Sequence, residues 1–424
     1  MTRTREHVEP GSGEGVHPRG MSAVPAGRMI SFDHEPRTRL VFGDNAVDRV
    51  GELARGIGAR RVLLVTDPGI VGAGHAGRVE EQLRASGLEV TVFNESRENP
   101  TTRCVENCLA VAKAGDIDTI VGLGGGSSMD TAKGCNFLLT NGGRMRDYWG
   151  AGKASKPMLP LIAIPTTAGT GSECQSFALI ADDTTHQKMA CGDPKAAARL
   201  AILDPVLTVS QPAPVTAHTG IDAIAHAVET AVTSRRNPLS LMYSHEAFKL
   251  LAPALPRVMT GPANLEARGR MLLGAALAGT AIENSMLGAA HAAANPLTAH
   301  FDVVHGEAVG ILLPLVVRFN GQDAEARRGY AELASGPEIA CASDGHEAAL
   351  AALVARLEAL LNLAGVPRSL ADCRVERGRI RMMAEEAARQ WTAAFNPRPV
   401  DVEDFEKLYE RAFEPRGDGD LKRM

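Results

Sequence analysis

The sequence predicts an α/β unit built on a parallel sheet, followed by an all-helical unit. Between about residues 39 and 209, short β-branched runs alternate with amphipathic helical stretches, the pattern of a parallel sheet with helices on its faces. After about residue 210 the strand signals fade and long Ala-, Leu- and Met-rich segments take over. The two regimes meet in LDPVLTVSQPAP (203–214), where three prolines interrupt helix formation. The expected organisation is a disordered tail over 1–35, an α/β domain over 36–209 and a helical domain over 210–424.

Each element follows from local pattern. Residues 1–29 are rich in Gly, Pro and charge and lack an apolar core, so they read as a disordered tail or vector remnant, not a signal peptide. RVLLVTD (61–67) is a β-branched strand ending at Asp-Pro-Gly, and HAGRVEEQLRASG (75–87) is an amphipathic helix with a Gly stop. LEVTVFN (88–94) is a second strand and TTRCVENCLAVAKAG (101–115) a helix. TIVGLGGG (119–126) is an apolar strand running into glycines, and SSMDTAKGCNFLL (127–139) is the next helix, with Ser127 as its expected N-cap. PLIAIPTTAGTGSE (160–173) is again strand into a Gly/Thr loop. Helices are expected over 216–233, 239–254, 263–292, 304–318, 345–363 and 376–392.

Composition narrows the function classes. The chain has 424 residues, 45% hydrophobic and 22% charged, with a net charge of −5. That suits a globular protein and leaves no basic field for nucleic acid or an anionic membrane. No apolar run approaches the roughly 18 residues of a membrane span. The seven cysteines are odd in number and form no CxxC pair, which fits free thiols in a reducing cytoplasm. Cys104 and Cys108, four apart on one helix face, read as small buried residues.

Two glycine loops point to a phosphate-bearing ligand. Gly124, Gly125, Gly126 and Ser127 follow an apolar strand and open a helix. Bare amides at a helix N-terminus suit a phosphate, although the third glycine of GxGxxG is missing. The alternative is a tight turn that binds nothing. In PTTAGTGSE, Thr166, Thr167 and Thr170 form a second loop suited to a diphosphate or ribose. Two such loops on neighbouring strand ends would build one cleft. Asp67, ending its strand, is either an acceptor for a ribose diol, favouring NAD over NADP, or a turn residue before Pro68.

The helical half supplies metal-ligand chemistry. Asp222 and His226 lie four apart on one helix face among Ala, Ile and Val. A buried carboxylate needs a partner, and a divalent cation would serve. GAAHAAANPLTAHFDVVHG (288–306) adds His291, on a helix expected over about 275–294, and His305, opening another helix. One carboxylate and three imidazoles suit Fe(II) or Zn(II). His300 falls in a loop between them and is unassigned.

GGGSSMDTAK, PTTAGTGSE, GIDAIAHAVE, AAHAAANPL and VVHGEAVGILLP together resemble the iron-containing (group III) alcohol dehydrogenases, in the family's order, over residues 38–412. The resemblance implies an α/β dinucleotide-binding domain and an all-α domain of the dehydroquinate synthase-like architecture, with the active site in the cleft between. It implies Asp222, His226, His291 and His305 as metal ligands, Gly124–Ser127 as the pyrophosphate loop, and Thr166, Thr167 and Thr170 in the second cofactor loop. Asp67 and the Asn99-Pro100 pair match positions at the adenosine end, Asp130 and Lys133 follow in the glycine motif, and Lys188 resembles a lysine near nicotinamide and substrate. One position departs. The family carries a second histidine four residues after His291, where this chain has Asn295. Asparagine can hydrogen-bond a substrate oxygen but cannot carry a proton near neutral pH. The remaining proton routes are ribose hydroxyls, a water chain, or His300.

The implied function is hydride transfer between NAD, or NADP, and a small alcohol or aldehyde, in a cytoplasmic homodimer or larger homo-oligomer. The alternatives are a glycerol or glycerol-1-phosphate dehydrogenase, a dehydroquinate synthase, a maleylacetate reductase, a hydroxyacid–oxoacid transhydrogenase, or a non-catalytic nucleotide-binding protein. Four ligands favour the alcohol dehydrogenase branch over relatives with one carboxylate and two histidines, and over a scaffold that needs none.

Overall fold

The central sheet has six parallel strands in the order β1-β9-β6-β4-β2-β3, here in a computed structural model describing residues 32–415 apart from 186 and 338. The strands are β1 (Arg39–Phe42), β2 (Arg61–Val65), β3 (Glu89–Phe93), β4 (Thr119–Gly124), β6 (Leu161–Pro165) and β9 (Leu200–Leu203). A second sheet joins β5 (Gly150–Ala151), β8 (Lys188–Gly192) and β7 (Phe177–Ala181), with β7 and β8 antiparallel. Helices α1 (Val50–Gly56), α2 (Pro68–Gly72), α3 (His75–Ala85), α4 (Thr102–Ala114) and α5 (Gly126–Asn141) link the strands.

Successive side chains of a strand point to opposite faces, and the two cores divide accordingly. Val62, Leu64, Val121, Leu123, Ile162 and Ile164 pack with α1 and α3 residues on one face. Leu63, Val65, Ile120, Leu161 and Ala163 join the other face, whose core continues into the helical part. Every residue of β4 is buried, as a central parallel strand with both faces covered requires. The chain passes from β2 to the edge strand β3 and returns to β4 on the other side of β2. The crevice beyond the ends of β2 and β4 is therefore a topological switch point, where such sheets bind ligands.

After β9 ends at Leu203, the chain is helical: α6 (Ala213–Thr230), α7 (Pro238–Thr260), α8 (Leu265–Asn284), α9 (Ala289–Phe301), α10 (His305–Asn320), α11 (Ala324–Ser335), α12 (His346–Leu363), α13 (Ile380–Arg389) and α14 (Val402–Ala412). Helix α6 packs against α7, α8 and α10. Among the described residues no helix is long and apolar enough to cross a membrane. All seven cysteines are free, and Cys104 and Cys108 are buried.

The structure corrects several local expectations. The tail expected over 1–35 lies outside the described residues as far as 31, but His34 and Glu35 belong to the folded body, with His34 Nδ1 2.8 Å from Asn284 Oδ1. The expected continuous helix over 263–292 breaks at Ser285, outside the helical region, and resumes after Gly288. His300 sits on α9 rather than in a loop. Ser127 is not the N-cap of α5; that position is Gly125, extended and offering no side-chain cap. Strand β1, the β7–β8 pair, α11 and α14 are additional elements.

Candidate active site

The glycine loop forms at the switch point. Gly124 ends β4 with φ +143, a conformation that excludes most side chains, and a Cβ there would meet Ser128 Oγ at 2.6 Å. The loop then enters α5, whose first amides have no side-chain cap and so present unpaired donors and the positive end of the helix dipole. The second loop docks on it. Thr166 donates its backbone N–H to Gly124 O at 2.9 Å, and a Cβ on Gly126 would meet Thr170 at 2.9 Å. Thr166 is buried and Thr167 and Thr170 are partly open.

Asp67 is a capping residue at the start of α2. Its Oδ1 caps α2 by accepting from Ile70 N at 3.0 Å, and Oδ2 accepts from Ser128 Oγ at 3.2 Å. A carboxylate retains further lone pairs on both oxygens for a diol. Asn99 is exposed in the left-handed region, with φ 49, just before buried Pro100. Asp130 and Lys133 lie behind the loops. Lys133 is fully buried and donates from Nζ to Ser172 O at 2.6 Å, Ser172 Oγ at 2.8 Å and Phe177 O at 3.0 Å. Asp130 accepts from Ser172 Oγ at 2.9 Å. Burial pushes the Lys133 pKa down, against Asp130, Glu283 and Glu173, and pushes Asp130 up, against Lys133. The pair thus ties α5 to the segment after the second loop.

The second loop also touches α6. A Cβ on Gly169 would meet Thr219 Cβ at 2.5 Å, one turn before Asp222. Asp222 and His226 share the inner face of α6, and three imidazoles converge on one carboxylate oxygen. Asp222 Oδ1 is 3.4 Å from His226 Nε2, 3.3 Å from His291 Nε2 and 3.8 Å from His305 Nε2. Ligand atoms at the corners of a tetrahedron around a divalent ion stand about 3.4 Å apart. Asp222, His226 and His291 are buried, and each offers a ligand atom within 4.8 Å of the others, a group able to hold a metal ion. His305, the first residue of α10, has a side chain 32% exposed and flanks them. All ion-pair partners of Asp222 among the described residues are these imidazoles.

The electrostatics separate the three rings. Burial takes His226 down to about 4 despite Asp222. Burial, reinforced by Lys188 and the neighbouring rings, takes His305 to about 3. Burial also opposes protonation of His291, but Glu229 and Asp222 outweigh it and raise it to about 9. Asp222 is held well below the usual carboxylate range: burial raises it, and the surrounding imidazoles more than offset that. A neutral imidazole with a free nitrogen lone pair is the metal-binding form. The donor set fits a divalent ion of the Fe(II) or Zn(II) type.

Lys188 opens β8 and is exposed. Protein crowding lowers its pKa, while Asp130, Asp222 and Glu98 act to raise it. It therefore feels both α5, through Asp130, and α6, through Asp222. Asn295 is part-buried one turn beyond His291 and donates from Nδ2 to Gln390 Oε1 at 3.1 Å. His300 is not brought to the site. It pairs with Glu386 at 2.8 Å on the surface, about 14 Å along the helix axis from His291 at 1.5 Å per residue. Glu229 is the residue the sequence reading passed over. It is buried and lies seven residues after Asp222 on α6, and its Oε2 is 2.5 Å from His291 Nδ1. The spacing i, i+4, i+7 was its only sequence signal.

Residues 36–205 match the iron-containing alcohol dehydrogenase family, and residues 216–413 match the Fe-containing alcohol dehydrogenase family, C-terminal part. The NAD-dependent methanol dehydrogenase of Bacillus methanolicus is 34% identical over 91% of this chain and 100% of its own. A solved 1,3-propanediol oxidoreductase superposes with a TM-score of 0.87 at 32% identity, covering 91% of this chain and all of that one. The sulfoacetaldehyde reductase of Bifidobacterium kashiwanohense, solved in complex with NAD+, superposes with a TM-score of 0.82 at 26% identity, over 91% and 99% of the two chains. With both halves matched, and the ligand set and glycine loops adjoining in one body, this chain belongs to the iron-containing alcohol dehydrogenase family.

Proposed function

We propose that this chain is a metal-dependent, NAD-linked dehydrogenase that interconverts a small alcohol and its aldehyde or ketone. The observation carrying this reading is the convergence of three imidazole Nε2 atoms within 3.3–3.8 Å of one buried carboxylate oxygen, one loop away from an uncapped, glycine-lined helix N-terminus. When bound, the ion supplies Lewis acidity at the substrate oxygen and the nicotinamide takes up or returns a hydride. Asp222, His226, His291 and His305 hold the ion. The Gly124–Ser127 amides and the Thr166, Thr167 and Thr170 loop hold the pyrophosphate. Asp67 accepts from the ribose diol, which disfavours a 2′-phosphate and supports NAD over NADP; two relatives are named for NAD or solved with it. Lys188 Nζ donates toward the substrate or nicotinamide.

Asn295 orients the substrate through its amide but moves no proton. The proton leaves by ribose hydroxyls and water. The relatives are named for methanol, 1,3-propanediol and sulfoacetaldehyde, all small and oxygen-terminated, and the alanines around His291 suit such a substrate. Assembly as a homodimer or larger homo-oligomer accompanies this reading.

The test is a scan of short alcohols and aldehydes with NAD(H) and NADP(H), using Fe(II)- and Zn(II)-loaded protein. Turnover that requires metal and prefers NAD(H) is expected. Protein that binds no divalent metal and turns over no substrate would favour a nucleotide-binding module instead.

A further inference from the structure

Helix α9 starts without a cap of its own. Its N-cap residue is Gly288, which makes no side-chain cap bond, and the first amides of any helix lack intrahelical partners. Two remote side chains meet them. Asn396 Oδ1 accepts from Ala289 N at 3.2 Å, and Glu229 Oε1 accepts from Ala290 N at 2.7 Å. The other oxygen of Glu229, Oε2, stands 2.5 Å from His291 Nδ1. One buried carboxylate therefore spans the start of the helix and the ring of its third residue. The acceptors press on the glycine: a Cβ on Gly288 would lie 3.0 Å from Asn396 Oδ1 and 3.1 Å from Glu229 Oε1.

The capping groups are themselves fixed. Asn396 Nδ2 donates to Asn320 Oδ1 and to Arg398 O, each at 2.7 Å, and Asn320 Nδ2 donates to Tyr330 Oη at 3.2 Å. Asn320, Asn396 and Tyr330 are all buried. A negative group at a helix N-terminus is also favoured by the helix dipole. A carboxylate that accepts from Nδ1–H fixes the ring orientation and makes Nε2, which faces Asp222 at 3.3 Å, the nitrogen that would give up its proton to a metal.

We propose that Glu229 is a positioning residue that caps α9 in trans and, through the same carboxylate, holds His291 in its metal-binding tautomer, so that the start of α9 and the metal site form one unit with Asn396. This rests on the metal site proposed above. Glu229→Gln discriminates. The amide oxygen can still accept from Ala290 N, but its NH2 then faces Nδ1, and accepting from it would place the ring proton on Nε2. Metal affinity is expected to fall about 10- to 100-fold, the usual range when such a partner is lost. The metal-free variant should keep the parent's fold, read by circular dichroism, and the parent's NADH affinity, with some loss of stability from the lost charge.

The probes are Zn(II) by chelator competition and Co(II) by its visible absorption spectrum. Zn(II) affinity within twofold of the parent, with an unchanged Co(II) spectrum, would overturn the proposal. Parent protein that binds neither ion would instead overturn the metal site itself. Should Glu229→Gln not fold, Asn396→Ala reads the coupling separately, because it removes the bond to Ala289 N, together with the bonds to Asn320 and Arg398 O, and leaves Glu229 in place. A severalfold loss of Zn(II) affinity with a shifted Co(II) spectrum supports the unit; unchanged affinity and spectrum overturn it.

Discussion

Glu173 gives a stability prediction whose sign and size both follow from burial. It lies on the short turn Ser172–Cys174 that packs against α8, is 1% exposed, and has Oε1 buried without a hydrogen-bond partner. Burial raises its pKa from 4.5 to about 7, against the pull of its own backbone N–H and of Lys133. Below the lower value the folded and unfolded chains both hold the proton. Between the two values the folded chain keeps a proton that the unfolded chain has released, so stability falls as pH rises through this window and levels off above it. At about 1.4 kcal/mol per pKa unit, the total loss is about 3 kcal/mol. Glu173→Gln removes the ionisation and keeps the shape. The variant should therefore gain on the parent by about 3 kcal/mol between about pH 4.5 and about pH 7.5, with little further change above. Urea unfolding followed by circular dichroism across that range measures it, and groups common to both proteins cancel in the difference. Parallel stability curves for the two proteins would show that the Glu173 carboxylate is solvated or paired in solution, and would refute the reasoning.

Two further outcomes are expected. Gly279→Ala would place a Cβ 2.4 Å from Gly171 O and 2.8 Å from Gly171 Cα, backbone that cannot swing aside. It should destabilise by about 1–3 kcal/mol and, by displacing the second cofactor loop, weaken NADH binding; thermal unfolding and a fluorescence titration would show both, and a variant unchanged in both would count against the docking of that loop on α8. His300→Ala should lose no more than about 1 kcal/mol, as for other exposed ion pairs, and leave the pH–rate profile as it was; loss of a limb near neutral pH would return His300 to the proton route.

The sequence carried residue types more fully than it carried geometry. The alternation of strands and helices was legible because β2, β4 and β6 are rich in Val, Ile and Leu. The β7–β8 pair was not, because KMACG is small and mixed in character and FALIA, though apolar, is only five residues long, and its strand form depends on pairing and on packing against α5. His300 was misplaced for a related reason. NPLTAHFD contains a proline that signals a break, yet α9 continues through Pro296 to Phe301. The break that does occur, at Ser285–Gly288, frees His291 to sit in the first turn of its own helix.

The metal-ligand candidates were legible for a different reason: an aspartate and histidines among alanines need an explanation wherever they lie. Glu229 shows the limit of that signal. It stands on the same face of α6 as Asp222 and His226, but its partner His291 is 62 residues away. A glutamate near a helix end is usually solvated, and only the folded chain reveals that this one is 3% exposed and bonded to a ring. The histidines announce themselves by residue type, while the carboxylate that orients one of them does so only by burial. Groups of that second kind are therefore found where a buried charge lacks an opposite charge in sequence, and Glu173 and Glu229 are both such positions in this chain. They differ in what faces them: Glu229 meets a backbone amide and an imidazole, while Oε1 of Glu173 is buried without a hydrogen-bond partner. That difference assigns Glu229 to the site and Glu173 to the pH dependence of the fold.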